Sequence, residues 1–147
     1  SANHNFPTDR LDSGETADLW IEVGAASWKG GEQLPAPFSN YGDETVDVFA
    51  PGASIYSTVP GNQYERNDGT SMAAPMVTGL AALLWSHYPA LTAKQVRTIV
   101  LESATRYGDR RVLRPGSDQT VLFRDLSRTG AVVDAYGALQ QASRQTP

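Results

Sequence analysis

The sequence predicts a single α/β domain. Short apolar runs bounded by glycine and proline read as strands, and a long apolar stretch after residue 70 carries helical spacing. No linker or internal repeat divides the 147 residues. A chain of this length buries around two-thirds of its unfolded surface in one core.

Residues 1–18 are polar and turn-rich, with Pro7, Asp12, Ser13 and Gly14 as punctuation. Trp20 to Ala26 reads as a short buried strand ending in small residues, followed by a loop carrying Gly30, Gly31, Pro35 and Pro37. Thr45 to Ala50 is the next strand, stopped by Pro51 and Gly52. Ile55 to Val59 is a third, after which Pro60, Gly61 and Asn62 turn the chain toward Tyr64. From Ser71 the period changes. Met72, Pro75, Met76, Gly79, Leu80, Leu83 and Leu84 recur at helical spacing while alanines fill the other faces, which predicts a buried helix. It should stop near His87 and Tyr88, because Pro89 disfavours helix in the residue before it. Pro75 is expected in the first turn, where it is tolerable because backbone N–H groups there have no helical partner. Thr92 is a candidate N-cap for a second helix, with Gln95 as its capping-box partner and Val96, Ile99, Val100 and Ala104 as an apolar stripe. Residues 106–129 read as irregular, with a candidate hairpin involving Val121, Leu122 and Phe123. Val133 to Leu139 reads as a short last helix.

Composition narrows the function classes. Hydrophobic residues make up 40% and charged residues 19%, ordinary for a globular protein. The net charge is -4 and the arginines are scattered, which argues against a nucleic-acid partner. Those that bunch, Arg106, Arg110, Arg111 and Arg114, read as a solvated connection. No apolar run is long enough for a membrane segment; the longest candidate, Met72 to Trp85, contains Pro75, Thr78 and Gly79. No cysteine is present, which excludes a disulfide, a thiol nucleophile and a thiolate metal site, and leaves the redox compartment open. The chain begins at Ser1 without a methionine or signal-peptide pattern, so its natural N-terminus is expected upstream.

The segment Gly69, Thr70, Ser71, Met72, Ala73, Ala74, Pro75 carries the chemistry. A nucleophilic serine needs an exposed hydroxyl at a sharp turn and donors aimed at the oxyanion that forms when it attacks a carbonyl. The first turn of a helix supplies free N–H groups and the positive end of the helix dipole. Gly69 permits close backbone approach, and Ala73 and Ala74 leave room for neighbours. Local physics alone favours a serine that only caps a buried helix.

The whole string, continued by Val77, Gly79, Ala81 and Ala82, resembles the nucleophile motif of the subtilase family (peptidase family S8). The resemblance extends both ways. Val23, Gly24 and Ala25, then Phe38 to Gly42, are similar to a strand of the family and the turn after it. Asp47 to Gly52 and Ile55 to Thr58 resemble the approach to the nucleophile. Pro89, Leu91, Thr92 and Val96 are similar to the helix that follows, and Val133 to Ala135 with Ala138 and Leu139 to the closing helix. These segments span about three-quarters of the chain. The resemblance implies the C-terminal portion of a subtilisin-like three-layer fold, with a mainly parallel sheet and a buried helix starting at the nucleophile serine. It also implies peptide-bond hydrolysis by acyl transfer, with Ser71 as nucleophile and Gly69, Thr70 and the Ser71 amide at the substrate and oxyanion. Polypeptides are the implied substrates.

In this family the triad runs in the chain order Asp, His, Ser, so the serine comes last. His87 lies sixteen positions after Ser71 on the same predicted helix, roughly 24 Å away at ~1.5 Å per residue. His4 sits in a polar loop without the family's His-Gly-Thr pattern. Asp12, Ser13 and Gly14 resemble the aspartate motif in letters, but Arg10 and Leu11 precede them instead of an apolar strand, and a turn is the better reading. Ala2 and Asn3 only echo the family's oxyanion asparagine, and Asn40 reads as structural. The catalytic Asp and His and the oxyanion Asn are therefore expected upstream, in the N-terminal part of the same domain. These residues alone should show negligible proteolysis, because a serine hydroxyl without a base is a weak nucleophile. No cofactor is required for such chemistry; structural calcium is possible in the full-length protein, and Asp47 stands where some relatives carry a weak cation site. A secreted, periplasmic or cell-envelope location is implied by the family alone. The competing reading is a catalytically inactive subtilase-like binding or structural domain.

Overall fold

The computed structural model describes residues 14, 15 and 17–145. Its central sheet is built from β1 (Val23–Ala26), β2 (Val48–Pro51), β8 (Ala131–Val132) and β5 (Thr105–Arg106), in that order. β1, β2 and β8 run parallel, and β5 closes the edge antiparallel to β8. Strand alternation divides the core in two. Ala25, Val48 and Ala50 face the helices, whereas Ala26 and Phe49 face a second cluster with Val112, Phe123 and Leu126. The three layers are thus helices, sheet, and a cover made of loops and a hairpin.

The helical layer holds α1 (Thr70–His87), α2 (Ala93–Glu102) and α3 (Ala135–Gln145). In α1 the buried positions are Ala73, Val77, Leu80 and Leu84, a stripe three or four residues apart that lies on β1 and β2. Met76, Leu83 and Trp85 on its other side are exposed, so α1 is buried along one face and apolar but uncovered on the other. Helical spacing was legible; the extent of burial was not, since it depends on which faces of the helix other segments cover. α2 begins as expected: the Gln95 amide donates to the Thr92 hydroxyl at 3.3 Å, and the Thr92 amide donates to Gln95 Oε1 at 2.9 Å. Thr92→Ala should cost about 1 kcal/mol, read as a melting temperature lowered by roughly 2–4 °C.

The stretch 106–129 is more ordered than its composition suggests. β6 (Arg111–Leu113) and β7 (Thr120–Leu122) pair antiparallel, and a 3₁₀ turn spans Phe123–Leu126. Val112 and Phe123 are fully buried, so this segment is the outer wall of the second cluster and not a solvated connection. Two aliphatic or aromatic anchors among many charges were enough to seat it. Upstream, β3 (Ile55–Val59) and β4 (Gln63–Asn67) form an exposed hairpin in which Tyr56 stacks on Tyr64 at 5.6 Å.

The outer edge of β1 is blunted by its own loop. The Ala25 amide donates to Ser39 Oγ at 2.8 Å and the Ala25 carbonyl accepts from the Ala36 amide at 2.9 Å. The segment from Ala36 to Ser39 therefore covers part of the β1 edge. The apolar outer face of α1 remains. Isolated residues 1–147 should accordingly associate at micromolar concentration and lack a sharp monomeric melt, as checked by light scattering during thermal unfolding.

Among the described residues no helix is long and apolar enough to cross a membrane.

Candidate active site

Ser71 is the second residue of α1 and is exposed. Gly69 precedes the helix with φ 156° and ψ 161°, a corner of backbone space essentially reserved for glycine. Its carbonyl accepts from the Met72 and Ala73 amides at 3.0 and 3.3 Å. No carbonyl of the helix precedes it, so the amides of Thr70 and Ser71 have no helical acceptor and stand at the positive end of the dipole. Free amides at a helix start favour negative charge near them.

The helix start is held against the end of β2. The Gly69 amide donates to the Gly52 carbonyl at 2.9 Å. A Cβ on Gly52 would lie 2.7 Å from Ala25 Cβ and 2.8 Å from the Gly69 carbonyl oxygen, so glycine is what lets the two backbones meet. Ala25 and Ala73, both fully buried, complete this small-residue contact.

Pro75 falls at the sixth helical position, beyond the first turn where it would be harmless. Its missing N–H would have bonded the Ser71 carbonyl, four residues back, so the helical ladder is interrupted at Ser71.

The residues leading into Ser71 are braced from the side. Asp68 Oδ1 accepts from the Ser54 amide at 2.5 Å, and the Ser54 carbonyl accepts from Arg66 at 3.0 Å. Ser54 adopts φ 58°, uncommon for a non-glycine residue, and these two bonds hold it there.

Gly69, Thr70 and Ser71 thus share one turn, as the sequence implied, but triad partners do not join them. Among the described residues none hydrogen-bonds the Ser71 hydroxyl. His87 closes the far end of α1, and its Nδ1 lies 3.1 Å from both Ser86 Oγ and the Leu83 carbonyl. His4, Asp12, Ser13 and the pair Ala2 and Asn3 lie outside the described residues. Asn40 sits in the turn that covers β1, where its carbonyl accepts from Ser39.

Asp47 does not suit a cation site. Its Oδ1 is 3.3 Å from both Arg97 and Arg128, and its Oδ2 accepts from the Glu22 amide at 2.9 Å. Two guanidinium groups already occupy the space that a metal would need. The carboxylate is buried while its arginines are partly exposed, which moderates the pair energy. Asp47→Ala should still destabilise by about 2–3 kcal/mol, and Asp47→Asn by less, since it keeps an acceptor for Glu22. Thermal unfolding of the two variants checks this.

Sequence reasoning had read Gly52 as a strand stop and had not singled out the Asp68–Ser54 brace. A glycine at a strand end does signal close backbone approach; an aspartate bonding an amide fourteen residues away leaves no local signal.

Comparison with known proteins shows the family. Residues 3–121 match the family model described as the subtilase family, Peptidase_S8. The chain is 53% identical to subtilisin DY of Bacillus licheniformis over 92 residues, 63% of this chain and 32% of that protein. It is 57% identical to subtilisin-like protease 2 of Plasmodium falciparum over 51 residues, 35% of this chain and 4% of that protein. Among solved structures, the patellamide maturation protease PatA superposes with a TM-score of 0.63 at 30% identity, covering 86% of this chain and 44% of that one. The A-subunit of the AB5 toxin from E. coli gives 0.67 at 26% identity, covering 83% and 37%. The chain spans about a third of the length of its relative subtilisin DY. With a family match over most of its length, and a serine presented at a helix start, the chain belongs to the subtilase family.

Proposed function

We propose that this chain supplies the nucleophile of a serine endopeptidase, with Ser71 forming an acyl-enzyme and the Ser71 backbone amide donating to the oxyanion. One observation carries the reading: an exposed serine in the first turn of a helix whose leading amides have no helical acceptor, seated by Gly69 against Gly52. The general base and its orienting carboxylate come, on this reading, from outside the described residues; His87, at the opposite end of α1, cannot reach Ser71. The substrates are polypeptides, and the place of action is the secreted, periplasmic or envelope compartment that the family implies.

A fluorophosphonate probe tests the nucleophile in the full-length protein that contains this chain. It should label Ser71 stoichiometrically and leave Ser71→Ala unlabelled. Label retained in that variant would refute the assignment, and no label in the wild type would favour an inactive binding module.

A further inference from the structure

The φ of 58° at Ser54 lies in the left-handed region, where a side chain crowds the backbone and glycine is the usual occupant. Both backbone groups of Ser54 are held by side chains from one short segment. Its amide donates to Asp68 Oδ1, and its carbonyl accepts from Arg66 Nη1 at 3.0 Å. The Arg66 guanidinium also lies 5.5 Å from the centre of the Tyr56 ring, a cation–π contact that fixes it from a second direction.

These bonds stand where the β3–β4 ladder ends. Its last backbone pair is Ile55 with Asn67, so Ser54 and Asp68 are the next residues on each strand. Beyond them the Gly69 amide donates to the Gly52 carbonyl at 2.9 Å. Residues 52–54 and 66–69 are therefore tied by three bonds, and Gly69 is the corner from which α1 departs. Asp68 and Arg66 are both exposed, and bonds from exposed side chains to the backbone add little to stability. Their effect is on the path of the chain.

We propose that Asp68 and Arg66 are positioning residues for Ser71. By fixing Ser54 in the left-handed region they keep the Gly52 carbonyl on the Gly69 amide, and so hold the Ser71 hydroxyl in place for attack. Once released, Ser54 relaxes toward negative φ, the 52–54 connection turns, and the corner at Gly69 shifts. A misplacement of about 1 Å costs on the order of a hundredfold in rate. The inference rests on the reading of Ser71 as a peptidase nucleophile.

The test uses the full-length protein carrying Asp68→Ala, Asp68→Asn, Arg66→Ala, or Asp68→Ala together with Ser54→Gly. Each is measured well below its melting temperature, by kcat and KM on a chromogenic peptide and by the rate of fluorophosphonate labelling. Asp68→Ala should lose roughly tenfold or more in kcat and in labelling rate. Its KM should stay within about twofold, because no substrate contact is removed. Arg66→Ala should lose less, since the bond to Asp68 remains. Asp68→Asn keeps an acceptor and should recover to within about threefold of wild type. Ser54→Gly should rescue Asp68→Ala to a similar extent, because glycine takes the left-handed conformation without help. A residue that touched the substrate itself would not be replaced by a glycine 14 positions away. Unchanged kcat and labelling in Asp68→Ala overturn the assignment, as does a loss confined to KM or one that Ser54→Gly fails to relieve. In each of those cases normal labelling of the wild type leaves Ser71 standing. Absence of label in the wild type overturns the nucleophile reading instead.

Discussion

Ser71→Ala in the full-length protein should lower turnover roughly a millionfold, the scale of loss when a subtilisin nucleophile is removed. The loss should fall on kcat, with KM for a good peptide substrate changed by less than about threefold, because the serine hydroxyl contributes little to ground-state binding. A residual rate about 10³-fold above the uncatalysed reaction should persist, since the backbone donors at the helix start are untouched. Steady-state kinetics on a chromogenic peptide, with a competitive inhibitor titrated against both proteins, separates these quantities. A variant that keeps more than a few per cent of wild-type kcat would show that Ser71 is not the nucleophile.

Gly52→Val should be the most damaging substitution that touches no reacting group. Even a single Cβ would sit 2.7 Å from Ala25 Cβ and 2.8 Å from the Gly69 carbonyl, and the latter is backbone that cannot rotate away. Relief requires the start of α1 to withdraw from β2, which breaks the bond from the Gly69 amide to the Gly52 carbonyl. Overpacking of this kind costs about 1–3 kcal/mol in stability. A displacement near 1 Å at the nucleophile costs on the order of a hundredfold in rate. Gly52→Ala should show the same pattern in weaker form. The checks are thermal unfolding and the rate of fluorophosphonate labelling. Normal labelling in a destabilised Gly52→Val would separate the packing of this contact from the positioning of Ser71.

Parts of this architecture were written locally. The reciprocal bonds of Thr92 and Gln95 involve residues three apart, and the apolar stripe of Val96, Ile99 and Val100 needs only helical spacing. Val48, Phe49 and Ala50 alternate between the two sides of the sheet as any strand must. Longer-range features left weaker marks. Arg110, Arg111 and Arg114 made their segment look solvated, because the decisive contacts belong to Val112 and Phe123 and are made with Phe49, sixty or more residues away. The helix was read from Ser71 with Pro75 in its first turn, whereas α1 starts at Thr70 and Pro75 is its sixth residue.

Local patterns alone carry the α/β class, the helix that begins beside Ser71, and the resemblance to the subtilase family. Each of these rests on patterns within a few neighbouring residues or on an ordered string of motifs. How the turn is held emerges from packing between distant segments. Gly52 meets Gly69 across seventeen residues, and Asp68 reaches back to Ser54. Those contacts join segments that approach one another only once the sheet and helices have packed, so no local pattern of side chains can announce them.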